Sequence, residues 1–159
     1  MIELNEKTQQ DFLNREWANK LLDAGVDMSD AKYSIVYVKE FNIDVVTYNK
    51  PSEIVEDQNP VPTYTVSELL YKLHEWVSLE INGKEYSGML KFVKDAPFYL
   101  FYYGLVSKNY DPRKFSQDQP DEWDESLIGE SEYPIESLAS LLIQCHKREI
   151  GSVKDISNK

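Results

Sequence analysis

The sequence predicts an α+β fold: a single globular domain over residues 1–159, with a mainly antiparallel sheet of about five strands, three helices and the order α-β-β-α-β-β-β-α. Three observations carry that expectation. Apolar residues recur at helical spacing near both ends of the chain, from Leu13 to Ala24 and from Ile135 to Cys145. A capping-box motif, Thr65-Val66-Ser67-Glu68, opens a further helix in the middle. Asn82-Gly83 then marks a tight hairpin, because both central residues of a type I′ turn need positive φ. Strands joined by short turns run antiparallel, and all or most of the helices are expected on one face of them.

Taken in order, residues 1–7 read as a frayed terminus. Thr8 or Asn14 can cap the first helix, in which Leu13, Trp17, Leu21 and Ala24 fall on one face with Ala18 and Leu22 beside them. Gly25 suits the position after the helix, and Val26 the apolar contact that accompanies such caps. Tyr33 to Val38 and Ile43 to Tyr48 are rich in β-branched and aromatic residues and read as a hairpin pair. Residues 49–62 place Pro51, Pro60 and Pro62 among Glu53, Glu56 and Asp57 and read as a loop. Thr65 caps the second helix, and Tyr64 and Leu69 hold the positions of a hydrophobic staple. Leu69, Leu70 and Leu73 form a short stripe that runs out near His74 or Glu75.

From Val77 the period becomes two. With a two-residue loop at Asn82-Gly83, Ile81 faces Lys84, Leu79 faces Tyr86 and Val77 faces Gly88. The apolar sets of both strands then share a face that continues through Leu90 and Phe92, which a one-residue slip would destroy. Ser78 with Ser87 and Glu80 with Glu85 take the other face, and the like-charge pair marks a wet end. Lys94-Asp95-Ala96-Pro97 is the next turn. Phe98 to Leu105 has Phe98, Leu100 and Tyr102 on one face and Tyr99, Phe101 and Tyr103 on the other. A strand apolar on both faces is expected to be central and covered on both sides. Residues 106–132, with Pro112, Pro120 and Gly129, read as a second long loop. Pro134 suits the first turn of the last helix, whose stripe is Ile135, Leu138, Leu142 and Cys145 with Ala139 and Leu141. Lys147 and Arg148 stand where the helix dipole favours cations, Gly151 can end the helix, and 152–159 is a polar tail, so the ordered core is expected over 8–151.

With 159 residues, 42% of them hydrophobic and 13% aromatic, the chain can bury a sizeable core and is not a disordered tract. No run approaches the ~18 apolar residues of a membrane-spanning helix. The acidic start, Met1 to Glu6, lacks the basic and apolar parts of a signal peptide. A lone cysteine, Cys145, excludes an internal disulfide framework and a CxxC metal site, and a cytoplasmic setting is expected. The net charge of −11, from 28 acidic and 17 basic residues, opposes direct nucleic-acid binding, which depends on neutralising phosphates. A basic protein is the partner such a chain would attract.

Candidate chemistry is sparse. His74 has the side chain of a general base or metal ligand, yet lacks a partner at ligand spacing, and a cation near a helix C-terminus explains it structurally. Cys145-His146 pairs a nucleophile with a base in sequence, but adjacent helical residues point about 100° apart, and Cys145 falls on the apolar stripe. The aromatic run Phe98 to Tyr103 has the make-up of a base-stacking platform or, more simply, of a core strand. There is no Gly-rich phosphate loop and no GxSxG elbow. No catalytic, cofactor or metal site is expected. The most specific candidate is protein-binding: Trp123 among Asp121, Glu122, Asp124 and Glu125, inside a span from Phe115 to His146 that has no Lys or Arg. A Trp ringed by carboxylates has the make-up of an interface anchor for a basic partner. The structural alternative is that Trp123, with Leu127 and Ile128, folds back on the sheet and pins the loop.

Trp17 to Val26, Tyr33 to Val38, Pro62 to Leu70 and Pro134 to Leu142 together resemble an uncharacterised family of small proteins from bacteriophages and mobile elements of gut Bacteroidales. The likeness touches most of residues 13–150. It implies a phage or mobile-element origin and a cytoplasmic setting, and brings no activity and no catalytic residue. The leading expectation is a non-enzymatic accessory protein that binds another protein. One alternative is a DNA mimic, whose carboxylates would occupy the groove of a basic nucleic-acid-binding protein. The other is a small hydrolase using carboxylates or His74.

Overall fold

Three helices and two antiparallel sheets make up the α+β fold. A computed structural model of the chain describes residues 1–5, 7–8, 10–81, 83–107, 122–148 and 151–152. In chain order the elements are β1 (Ile2–Glu3), α1 (Arg15–Asp23), β2 (Tyr33–Val38), β3 (Ile43–Thr47), β4 (Val61–Thr63), α2 (Val66–Lys72), β5 (Trp76–Ile81), β6 (Lys84–Asp95), β7 (Phe98–Ser107), β8 (Glu122–Ser131), α3 (Pro134–Lys147) and β9 (Gly151–Ser152). The smaller sheet has the order β1-β3-β2-β4 and the larger β8-β7-β6-β5-β9.

Two sheets stand where the sequence predicts one, because α1 lies between them. Its Ala18 packs with Phe12, Ile35, Val46 and Val61 against the smaller sheet. Its Leu21 belongs to the main core with Leu69, Leu105 and Leu138. The four added strands fall in segments that read as terminus, loop or tail. β1 and β9 have two residues each and β4 three, too few to show a period; each forms against the edge of a longer strand. β8 lies inside the predicted loop 106–132, since Glu122, Asp124, Glu125 and Glu130 give it a poor strand composition. Pairing along β7 overrides that weak preference. Gly151 begins β9 rather than ending α3, and β4 closes the predicted loop 49–62.

The local signals hold where they are strongest. Asn14 caps α1 by accepting from the Trp17 N–H. Gly25 follows the helix at φ 86°, and the Gly25 and Val26 N–H groups donate to the Leu22 and Leu21 carbonyls, satisfying two terminal acceptors. Thr65 and Glu68 close the capping box in both directions. The β5–β6 register pairs Ile81 with Lys84, Leu79 with Tyr86 and Val77 with Gly88. One position of the second stripe departs: Leu70 is exposed, since it points about 100° from Leu69.

Gly83 sits at φ 81° with open space where a Cβ would be, so its substitution meets only backbone strain. Gly83→Val is expected to lower stability by about 1–3 kcal/mol. Chemical denaturation checks it, and an unchanged midpoint would refute the strained turn.

The larger sheet presents one face to α3. Gly129 on β8 pairs with Phe101 on β7, and a Cβ on Gly129 would lie 1.9 Å from the Ser137 carbonyl oxygen of the helix. Only a bare backbone lets α3 come that close. Ser137, fully buried, donates its hydroxyl to the Tyr99 carbonyl at 2.6 Å. Ile135, Leu138, Ala139 and Leu141 fill the space above Tyr103, Leu105 and Leu127. At the outer side of β8 the Gln144 side chain takes both main-chain groups of one residue: its Oε1 accepts from the Ile128 N–H at 3.1 Å, and its Nε2 donates to the Ile128 carbonyl at 2.8 Å.

Candidate functional site

Of the places on the described surface where reactive or apolar side chains meet solvent, two bear on function. The first is a cleft of about 480 Å³ between the C-terminal ends of α2 and α3. Leu73, Val77 and Leu142 form its apolar floor, and Lys72, His74, Tyr103, Cys145 and His146 supply its polar atoms. The fold thus brings together both histidines of the chain and its cysteine. The sequence placed His74 and Cys145-His146 apart; the signal that unites them is that each follows or ends a helix, and α2 packs on α3.

The chemistry of this cleft is restrained. Burial pushes the Cys145 thiol up to about 12, with Arg148 opposing weakly, so the sulfur stays protonated at neutral pH. The Tyr103 phenol donates to the His74 carbonyl at 2.7 Å, and burial raises its pKa as well. Lys72 is held by Asp30 at 3.0 Å and by the Asp27 carbonyl at 3.1 Å. Asp30 is shared with the buried Tyr64, whose hydroxyl donates to it. Desolvation would raise the Asp30 carboxyl, but the bonds from Tyr64 and Lys72 outweigh it and hold the pKa low. Among the described residues that line the cleft, none is a carboxylate. Among the described residues no three His, Cys, Asp or Glu side chains group closely enough for a metal ion. Alkylation of Cys145 by iodoacetamide at pH 8 is expected to be slower in the folded protein than in urea by on the order of a hundredfold or more. Equal rates would mean the thiol is neither buried nor raised.

The second place is the face of the larger sheet turned away from α3. Cross-strand partners share a face, and the Phe101–Gly129 pair fixes which one α3 covers. The alternate residues therefore look outward. Trp76 pairs with Met89, Val93 with Leu100 and Tyr102 with Ile128. Trp76 is 41% exposed, Val93 43% and Phe98 38%, while Met89, Leu100, Tyr102 and Ile128 are half-buried among their neighbours. The expectation that β7 is covered on both sides is thus corrected: Tyr103 and Leu105 are core, and Phe98, Leu100 and Tyr102 have no helix above them among the described residues. A strand apolar on both faces fits a buried sheet and a sheet with one exposed binding face equally well, which is why the sequence misplaced it. Gly104 carries no side chain on this face, and the Lys91 stem lies across it, within 2.8 Å of where a Cβ would be. Glu80, Glu85, Asp95 and Glu130 are exposed around the apolar area.

Asp121 lies outside the described residues, and so do the side chains of Glu122, Trp123, Asp124 and Glu125. What the structure does give is their backbone: 122–131 is a strand, and Trp123 is the cross-strand partner of Gly104. Compared with family models, curated proteins and solved structures, the chain matches none of them. No helix among the described residues is long and apolar enough to cross a membrane.

Proposed function

We propose that this chain is a non-enzymatic accessory protein that binds another protein, in keeping with the resemblance to phage and mobile-element proteins. One observation carries the proposal: an open sheet face holding Trp76, Val93 and Phe98 in an exposed position beside Met89, Leu100 and Tyr102. Contiguous exposed apolar surface is costly in water, and where it is rimmed by polar residues it marks interaction sites. The cleft supports the same view from the other side. Its thiol is protonated, its lysine is tied to Asp30, and among the described residues lining it no carboxylate stands beside the histidines to orient an imidazole. Affinity capture with the full chain from its native host tests the proposal. The expected result is a reproducible protein partner; repeated captures with none would overturn it.

A further inference from the structure

We infer that the outer face of the larger sheet receives a basic amphipathic α-helix from the partner protein, resting on the protein-binding role just proposed. Shape gives the first reason. Strands lie about 4.8 Å apart, so the three strands β6, β7 and β8 offer a width of roughly 10 Å, the diameter of a helix with its side chains. Two of these strands, β7 and β8, already seat a helix, α3, on their other face. Trp76 on β5 and Phe98 at the turn end of β7 are exposed aromatic anchors of the kind that dominate binding energy. In the same cross-strand row as Trp76 and Met89, Gly104 contributes no side chain, and the Lys91 stem lies over it.

Charge gives the second reason and decides between occupants. Exposed Glu80 and Glu85 stand at one end of the face, Asp95 at the other and Glu130 along the β8 side, four carboxylates around the single cation Lys91 among the described residues of the face. An apolar stripe flanked by Lys or Arg complements that rim, and an acidic helix does not. A second copy of this chain would bring four carboxylates against four, with Lys91 alone to offset them on each described face, and add another −11, which disfavours self-association through this face. An added strand on the β8 side meets Ile128 already bonded to Gln144.

The test uses the full, isotope-labelled chain and three synthetic 18-residue peptides. One is a Leu/Lys amphipathic helix, one has the same composition with Leu scattered around the helix, and one is the Leu/Glu counterpart. The amphipathic Leu/Lys peptide is expected to bind at least tenfold more tightly than either control. Its amide shift changes should centre on Trp76, Met89, Val93 and Leu100. Val93→Lys should weaken it tenfold or more. Because Val93→Lys places a charge within the sheet, the exposed pair Glu80→Lys and Asp95→Lys provides a second measurement, with an expected loss of affinity and of its salt dependence. Equal binding of the scattered peptide, shifts that map to the α2–α3 cleft, or a dimer in sedimentation that Val93→Lys dissolves would each overturn the inference. The protein-binding role fails separately: a host partner captured equally by wild type and by Val93→Lys sinks this face and leaves that role intact.

Discussion

Gly129→Ala should be among the most damaging single-methyl additions in this protein, at about 3 kcal/mol or more, the upper end of what overpacking costs. The new Cβ would lie 1.9 Å from the Ser137 carbonyl oxygen and 2.9 Å from the Leu141 nitrogen. Those atoms are backbone, so no side-chain rotation relieves the clash. Either α3 lifts from β8 or β8 bends away from it. Lifting α3 would also strain the Ser137–Tyr99 bond and uncover Leu127. For a chain of this size the loss corresponds to a fall in melting temperature of about 10 °C. Differential scanning calorimetry measures it, and a shift within 2 °C of wild type would mean α3 does not rest on the Gly129 backbone.

Leu138→Ala tests the same contact from the helix side and is expected to cost about 2–5 kcal/mol. Leu138 is fully buried, one turn from Leu141 and Ile135, in the core that unites α3 with Leu21, Leu69 and Leu105. Removing its branched end leaves a cavity walled by several elements, which cannot all close on it. Urea denaturation should show a lower midpoint with an unchanged slope. A loss below 1 kcal/mol would place the residue at the margin of the core. The double substitution should cost less than the sum of the two, because a helix already displaced from β8 has less packing left to lose at 138.

Legibility from sequence followed how local each determinant is. The caps of α1 and α2 and the β5–β6 register need only residues within a turn or a hairpin, and they are where the sequence put them. The separation of the sheets was not legible, because it depends on Ala18 and Leu21 facing different layers, and both are merely apolar in sequence. β8 was hidden by its own acidic composition and revealed by its partner β7. The outer face posed a different difficulty. Phe98, Leu100 and Tyr102 have the same residue types as a core row, and only the position of α3 distinguishes a covered face from an open one. His74, Cys145 and His146 were each visible, but their shared cleft arises from two helices meeting, which no spacing in the chain records.

The Gln144 amide has a consequence for how this protein behaves in company. A strand at the rim of a sheet offers a ladder of unanswered N–H and C=O groups, and any extended chain, including another copy, can climb onto it. At Ile128 that rung is occupied by a side chain with the same donor and acceptor geometry as a peptide group. The protein carries, in effect, a one-residue imitation of the next strand, supplied from its own last helix. Polymerisation through β8 would first have to evict it. A molecule that exposes Trp76, Val93 and Phe98 on one sheet face has particular need of such a device, since stickiness there combined with an unanswered rim would favour stacked assemblies over a single defined complex.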